Sequence, residues 1–169
     1  MDDPFDRAVK TTLEHEGGYV NDPADPGGET KWGISKRAFP DLDIRSLSID
    51  EAKEIYRRKY WEPLRCGEMD SPVIAAEIFD TAVNVGVKGA VIIAQKALAY
   101  LGERIVEDGK MGPLTIGALN AWARKDEQAL FKCLNGFQFI HYVKITGQNE
   151  SLKRFARGWM KRIQQYREG

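Results

Sequence analysis

Three side chains early in this sequence have the types and spacing needed to break a glycosidic bond: Glu16, Asp25 nine residues on, and Thr30 fourteen residues on. In that chemistry one carboxylic acid protonates the leaving oxygen. A carboxylate roughly 6.5–9.5 Å away handles a water on the opposite face of the sugar in inverting enzymes. Asp25 with the Thr30 hydroxyl suits the second role. The alternative for Asp25, and more so for Asp22, is an Asx turn that satisfies loop backbone donors.

The elements that position these groups can be read from the same stretch. Phe5, Ala8, Val9, Thr12 and Leu13 recur at helical spacing, so residues 4–16 form an amphipathic helix whose buried stripe continues into Glu16. Glu14 lies elsewhere, in reach of an i, i+4 pair with Lys10. At a helix C-terminus the macrodipole disfavours a carboxylate, and apolar neighbours add desolvation. Both push the Glu16 pKa upward, toward that of a general acid working near neutral pH. The competing role is a hydrogen bond to the Gly17–Gly18 turn.

Gly17, Gly18, Gly27, Gly28 and Gly33 are five of the chain's 16 glycines, and Pro23 and Pro26 fall among them. That density specifies a backbone path. Asp22-Pro23 and Asp25-Pro26 favour extended geometry, and Pro26-Gly27-Gly28 marks a turn. A small β-hairpin presenting Asp25 and Thr30 to the helix end is the expected product.

Downstream the pattern is helical. Ser48-Ile49-Asp50-Glu51 is a capping box opening a helix over about 49–61, which Pro63 stops. Ser71-Pro72 opens another, with Ala75, Ile78, Phe79, Ala82 and Val85 on a broad apolar face and Gly86 at its end. Asp80 and Asn84 share one face of it at i, i+4, where they either line a saccharide groove or cap a neighbouring helix. Tyr19, Trp32, Tyr60 and Trp61 are candidate sugar platforms, because flat rings cover pyranose faces well; the alternative for each is the core. Helices near 127–145 and 151–167 complete a mainly α fold class.

At 169 residues the chain can bury one good core, and its 43% apolar and 30% charged composition is that of an ordinary globular protein. Net charge is zero, but residues 1–50 carry a net −5 and residues 144–169 a net +5. The basic end attracts an anionic polymer such as a cell wall, or is simply the solvated face of an amphipathic helix around Phe155, Trp159 and Ile163. No nucleic-acid partner is expected. Cys66 and Cys133 stand far apart without metal spacing, so free buried thiols are expected. His15 and His141 are the only histidines, and no zinc motif, phosphate loop or nucleophile elbow is present, so neither metal nor organic cofactor is expected. The acidic start lacks an apolar h-region and no apolar run approaches ~18 residues, so neither a signal peptide nor stable membrane insertion is expected.

Glu16-Gly17-Gly18-Tyr19, Asn21-Asp22-Pro23, Asp25, Gly27-Gly28, Thr30 and Gly33-Ile34-Ser35 together resemble glycoside hydrolase family 108. So do the Tyr56–Trp61 segment, Asp80–Gly86, and Phe155-Ala156-Arg157-Gly158-Trp159. The resemblance implies a lysozyme-like helical fold and an N-acetylmuramidase acting on peptidoglycan glycan strands. It maps the catalytic acid onto Glu16, and a weaker likeness to phage-type lysozymes supports Asp25 and Thr30. Some family members are described as secretion activators. Residues 89–122, with Gln95, Leu98, Asp108-Gly109, Gly112-Pro113 and Thr115, are similar to the helical peptidoglycan-binding repeat. The expected division is a catalytic region over 1–88 and a peptidoglycan-binding-like region over 89–169, packed as one unit. A wall target implies cytoplasmic residence until a holin or another export factor gives access to the periplasm and wall. The competing functions are a lytic transglycosylase and a non-catalytic protein that binds the wall or regulates secretion.

Overall fold

The computed structural model of the protein describes residues 3–16, 18–21 and 28–163, and not the side chains of residues 14–16. Helix α1 spans Pro4–Glu16, the bounds its periodicity predicts. Phe5, Ala8, Val9, Thr12 and Leu13 on it are all buried. Asp3 Oδ1 accepts the Phe5 N–H, and Asp3 Oδ2 takes Arg57 at 2.8 Å. The Arg57 guanidinium holds the Asp3 carboxyl below its usual range and lies 4.1 Å over the Phe5 ring.

A two-stranded antiparallel hairpin follows, β1 (Thr30–Lys31) with β2 (Ile34–Ser35), in the register Thr30 to Ser35 and Lys31 to Ile34. Its turn is Trp32-Gly33, and the expected Pro26–Gly28 turn falls largely outside the described residues. Both turn residues have positive φ, 52° and 73°, as a two-residue hairpin of the primed type requires.

Helix α2 spans Ile49–Tyr56 and has the predicted capping box: Ser48 accepts from Glu51 N–H while Glu51 accepts from Ser48 N–H at 2.8 Å. The expected continuation to residue 61 is a π-helical turn, Arg57–Trp61, and not more α-helix. The wider turn aims Trp61 at Phe5 and Phe79, with ring centroids 5.4 and 5.7 Å away. Phe79 also meets Tyr56 and Tyr60 edge-on, so one buried phenyl joins the π turn, α2 and α3.

Helix α3 is Pro72–Val85, with Ser71 as N-cap and Gly86 ending it, and α4 is Val87–Tyr100. Helix α5 runs Pro113–Gln148 with a break at Asp126, whose φ of −163° and ψ of 83° are not helical. Asp126 Oδ1 accepts the Ala129 N–H at 2.9 Å and so caps the second half, where the sequence pattern starts a helix at 127. The expected helix over 151–167 is a 3₁₀ run, Glu150–Phe155, and a short α6, Ala156–Met160; residues 164–167 lie outside the described residues. Asn149 takes the Ser151 N–H and tightens that first turn. Helix α4 packs against α3 and α5, and one buried cluster extends from Phe5 to Leu134 across all five larger helices. Among the described residues no helix is long and apolar enough to cross a membrane.

Candidate active site

Helix α1 delivers Glu16 at its last turn, and the chain then returns through an isolated antiparallel bridge between Val20 and Thr30. Each backbone N–H of that pair donates to the other's carbonyl at 2.8 Å. The bridge sets Thr30 beside Val20, a residue four positions beyond Glu16. The Glu16 side chain and Asp25 themselves lie outside the described residues. Thr30, half-buried on β1, donates its hydroxyl to the Gly28 carbonyl at 3.5 Å, a contact at the limit of a hydrogen bond.

The candidate sugar platforms divide. Tyr19 is exposed and donates its hydroxyl to Glu29 Oε1 at 3.0 Å. Trp32 is half-buried in the left-handed region, unusual for so bulky a residue. Its carbonyl accepts the Tyr56 hydroxyl at 3.0 Å, while its own indole N–H is buried with no acceptor among the described residues. Tyr60 is half-buried against Phe79. Trp61 is only 6% exposed, between Phe5 and Phe79, which makes it a core residue and leaves no face for a sugar.

Asp80 and Asn84 do share a face of α3, and each already has a partner within the protein. The Asn84 amide donates to the Asp80 backbone carbonyl at 2.8 Å, and Asp80 is 7% exposed with Arg162 at 3.2 Å. The Asp80–Arg162 ion pair ties α3 to the C-terminal segment, next to Tyr142 of α5, whose ring stacks on Trp159 at 4.9 Å.

One buried acid was not singled out from the sequence. Glu77, one turn before Asp80, is 2% exposed; its Oε2 has no hydrogen-bond partner among the described residues. Burial, then the neighbouring Asp80 charge, pushes its pKa up to about 8 against a smaller opposing effect from the Asn135 amide. The signal was available: a lone glutamate inside Val73–Phe79, an otherwise apolar run. Glu77 and Asp80 line a cleft of about 580 Å³ between α1 and α3.

The segment resembling a peptidoglycan-binding repeat is held by its own polar residues. Gln95, 1% exposed, donates to Asp108, to the Lys110 carbonyl and to Thr115, and accepts from Gly109 N–H. Gly109 has φ +71°, and a Cβ there would meet Lys88 Cγ at 2.8 Å, so only glycine fits the turn. The Asp108–Thr115 motif is therefore a structural clip. Cys66 and Cys133 are both free, Cys66 buried and Cys133 partly so. Among the described residues no three His, Cys, Asp or Glu side chains gather as metal ligands.

Residues 9–86 match the family model described as Glycosyl hydrolase 108, and residues 89–164 match one described as Predicted Peptidoglycan domain. Among solved structures the chain is similar to SagA of Brucella abortus, with 26% sequence identity and a TM-score of 0.73 over 94% of this chain and 88% of that one. No curated protein matches. The architecture, mainly helical with a small hairpin after the first helix, is lysozyme-like. Residues 9–86 are therefore a glycosyl hydrolase 108 region and residues 89–164 a predicted peptidoglycan domain, and together they make the protein a glycoside hydrolase directed at peptidoglycan.

Proposed function

We propose that the protein is a muramidase that cuts the β-1,4 bond between N-acetylmuramic acid and N-acetylglucosamine in peptidoglycan strands. Glu16 protonates the departing oxygen. Asp25, helped by Thr30, orients the attacking water or steadies the oxocarbenium-like transition state. The observation that carries this reading is the Val20–Thr30 bridge, which sets Thr30 beside a residue four positions beyond the end of α1. Trp32 supports it as a wall of the same site, since a bulky residue held at positive φ is the kind of local strain that clusters at functional sites. Residues 1–88 then cut and residues 89–169 hold the wall polymer, as one unit over a shared core.

Mass spectra of digested sacculi test the reading. Reducing N-acetylmuramic ends are expected, together with a loss of at least about 10²-fold in Glu16→Gln. Anhydro ends would make the enzyme a lytic transglycosylase. Undiminished clearing by Glu16→Gln would remove the assigned acid.

A further inference from the structure

The cleft between α1 and α3 has features that the cutting reaction does not use. On α1 its wall is made by residues 4, 7, 8, 11 and 12, so it ends one helical turn, about 6 Å, before Glu16. Phe131 of α5 and Lys161 and Ile163 of the C-terminal segment bound the other side. Its volume of about 580 Å³ lies within the range of small-molecule sites, roughly 300–1,000 Å³.

The chemistry of the walls is two-ended. Arg7 and Lys161 are exposed cations at the rim, whereas Glu77 and Asp80 are buried acids at the floor. Asp80 already has Arg162, while among the described residues Glu77 has no ion-pair partner and one oxygen without a hydrogen bond. The groups around Glu77 are Arg7 from α1, Asp80 on α3, Asn135 and Tyr142 from α5, and Lys161 and Arg162 from the C-terminal segment. Between floor and rim the surface is apolar, chiefly Ala8, Val73 and Ala76. Such a site complements a short zwitterionic peptide: an ammonium for the floor, a carboxylate for the rim, and small side chains between.

We propose that this cleft seats the peptide that branches from N-acetylmuramic acid, its free ammonium against Glu77 and its carboxylate against Arg7 and Lys161. The inference rests on Glu16 as the cutting acid, because a glycan lying at the end of α1 brings its branch to the neighbouring turn. An arriving ammonium displaces the Glu77 proton, which keeps the floor neutral. Binding at pH 7 thus releases close to one proton.

Calorimetry with the stem tripeptide N-acetyl-alanyl-γ-glutamyl-diaminopimelate, whose one free amine is that of diaminopimelate as in the wall, tests this without any cleavage. The intact protein is expected to bind it, and to bind the tripeptide acetylated at that amine as well about tenfold less tightly. Glu77→Gln should lose a similar factor and also the proton release, read from heats in buffers of different ionisation enthalpy. Arg7→Ala, at an exposed position, weakens binding while leaving proton release intact, and it serves if Glu77→Gln does not fold. Absence of tripeptide binding, equal affinity for the doubly acetylated form, or full affinity in both variants overturns the proposal. Sacculus digestion by the same preparation separates the two ideas: cutting without tripeptide binding retains the muramidase and discards the peptide site. Tripeptide binding without cutting does the reverse.

Discussion

The Tyr56 hydroxyl donates to the backbone carbonyl of Trp32 at 3.0 Å, so a buried side chain of α2 holds the left-handed residue of the hairpin turn. Tyr56 is 3% exposed and its ring is fixed against Tyr60 and Phe79. The aromatic cluster thereby sets the backbone of the candidate site. Tyr56→Phe keeps the ring and leaves the carbonyl short of a donor. A stability loss of about 1 kcal/mol is expected, seen as a fall in melting temperature of about 2–4 °C. Sacculus clearing at a temperature where both proteins are folded should fall as well. Unchanged clearing would separate the turn from function.

Thr30 makes its two strong contacts through the backbone, and its hydroxyl only a marginal one. Thr30→Val should therefore fold and melt like the parent, within about 0.5 kcal/mol as for a benign surface change. Its hydrolysis rate should nevertheless drop. Asp25→Asn should drop further, by about 10²-fold, as loss of a proton-transfer group does. Turbidity assays beside thermal melts check both, and full activity in Asp25→Asn would take that carboxyl out of the mechanism.

Glu77 makes stability depend on pH in a predictable direction. Its folded pKa, about 8, lies above the unfolded reference of 4.5. The unfolded chain thus loses this proton first, and the contribution of Glu77 is fully present below about pH 4.5 and is lost as pH rises toward 8. Glu77→Gln removes the dependence. Urea denaturation at pH 5, 7 and 8.5 should show the variant gaining on the parent as pH rises, by an amount on the order of a few kcal/mol at pH 8.5. A constant difference across that range would contradict the assignment.

Gln95 closes four hydrogen bonds in an almost fully buried place. Gln95→Leu leaves the Gly109 N–H and the Asp108 carboxylate short of a partner. A cost of roughly 2–4 kcal/mol is expected, the scale for breaking a buried polar network. Denaturant midpoints would measure it. Pelleting with sacculi should track the loss of folded protein and no more, because the motif is a clip and not a contact surface.

Much of the frame was legible because local chemistry and tertiary packing agree. The stripe from Phe5 to Leu13, the Ser48–Glu51 box, Ser71-Pro72 and Gly86 each mark an element edge where the structure has one. The hairpin turn was not legible, since tryptophan adopts positive φ at Trp32 only with a distant tyrosine holding the carbonyl. The C-terminal helix was overestimated because its periodicity takes no account of Asn149 competing for backbone donors. In the candidate site, the order of Glu16, Asp25 and Thr30 is a property of the chain. The burial of Trp61 depends on which helices meet, and spacing does not encode that, whereas Glu77 stands out as the one acid inside the apolar run Val73–Phe79.

The π turn at Arg57–Trp61 has a consequence for protein engineering. An extra residue in a helical turn shifts everything after it by about 100° about the axis. The wider π winding absorbs that residue, so deleting a solvent-facing position such as Lys59 would restore ordinary winding with the indole of Trp61 still between Phe5 and Phe79. Shortening this stretch by one amino acid would accordingly do less harm than forcing its full length into plain α winding, which would carry the indole out of its seat.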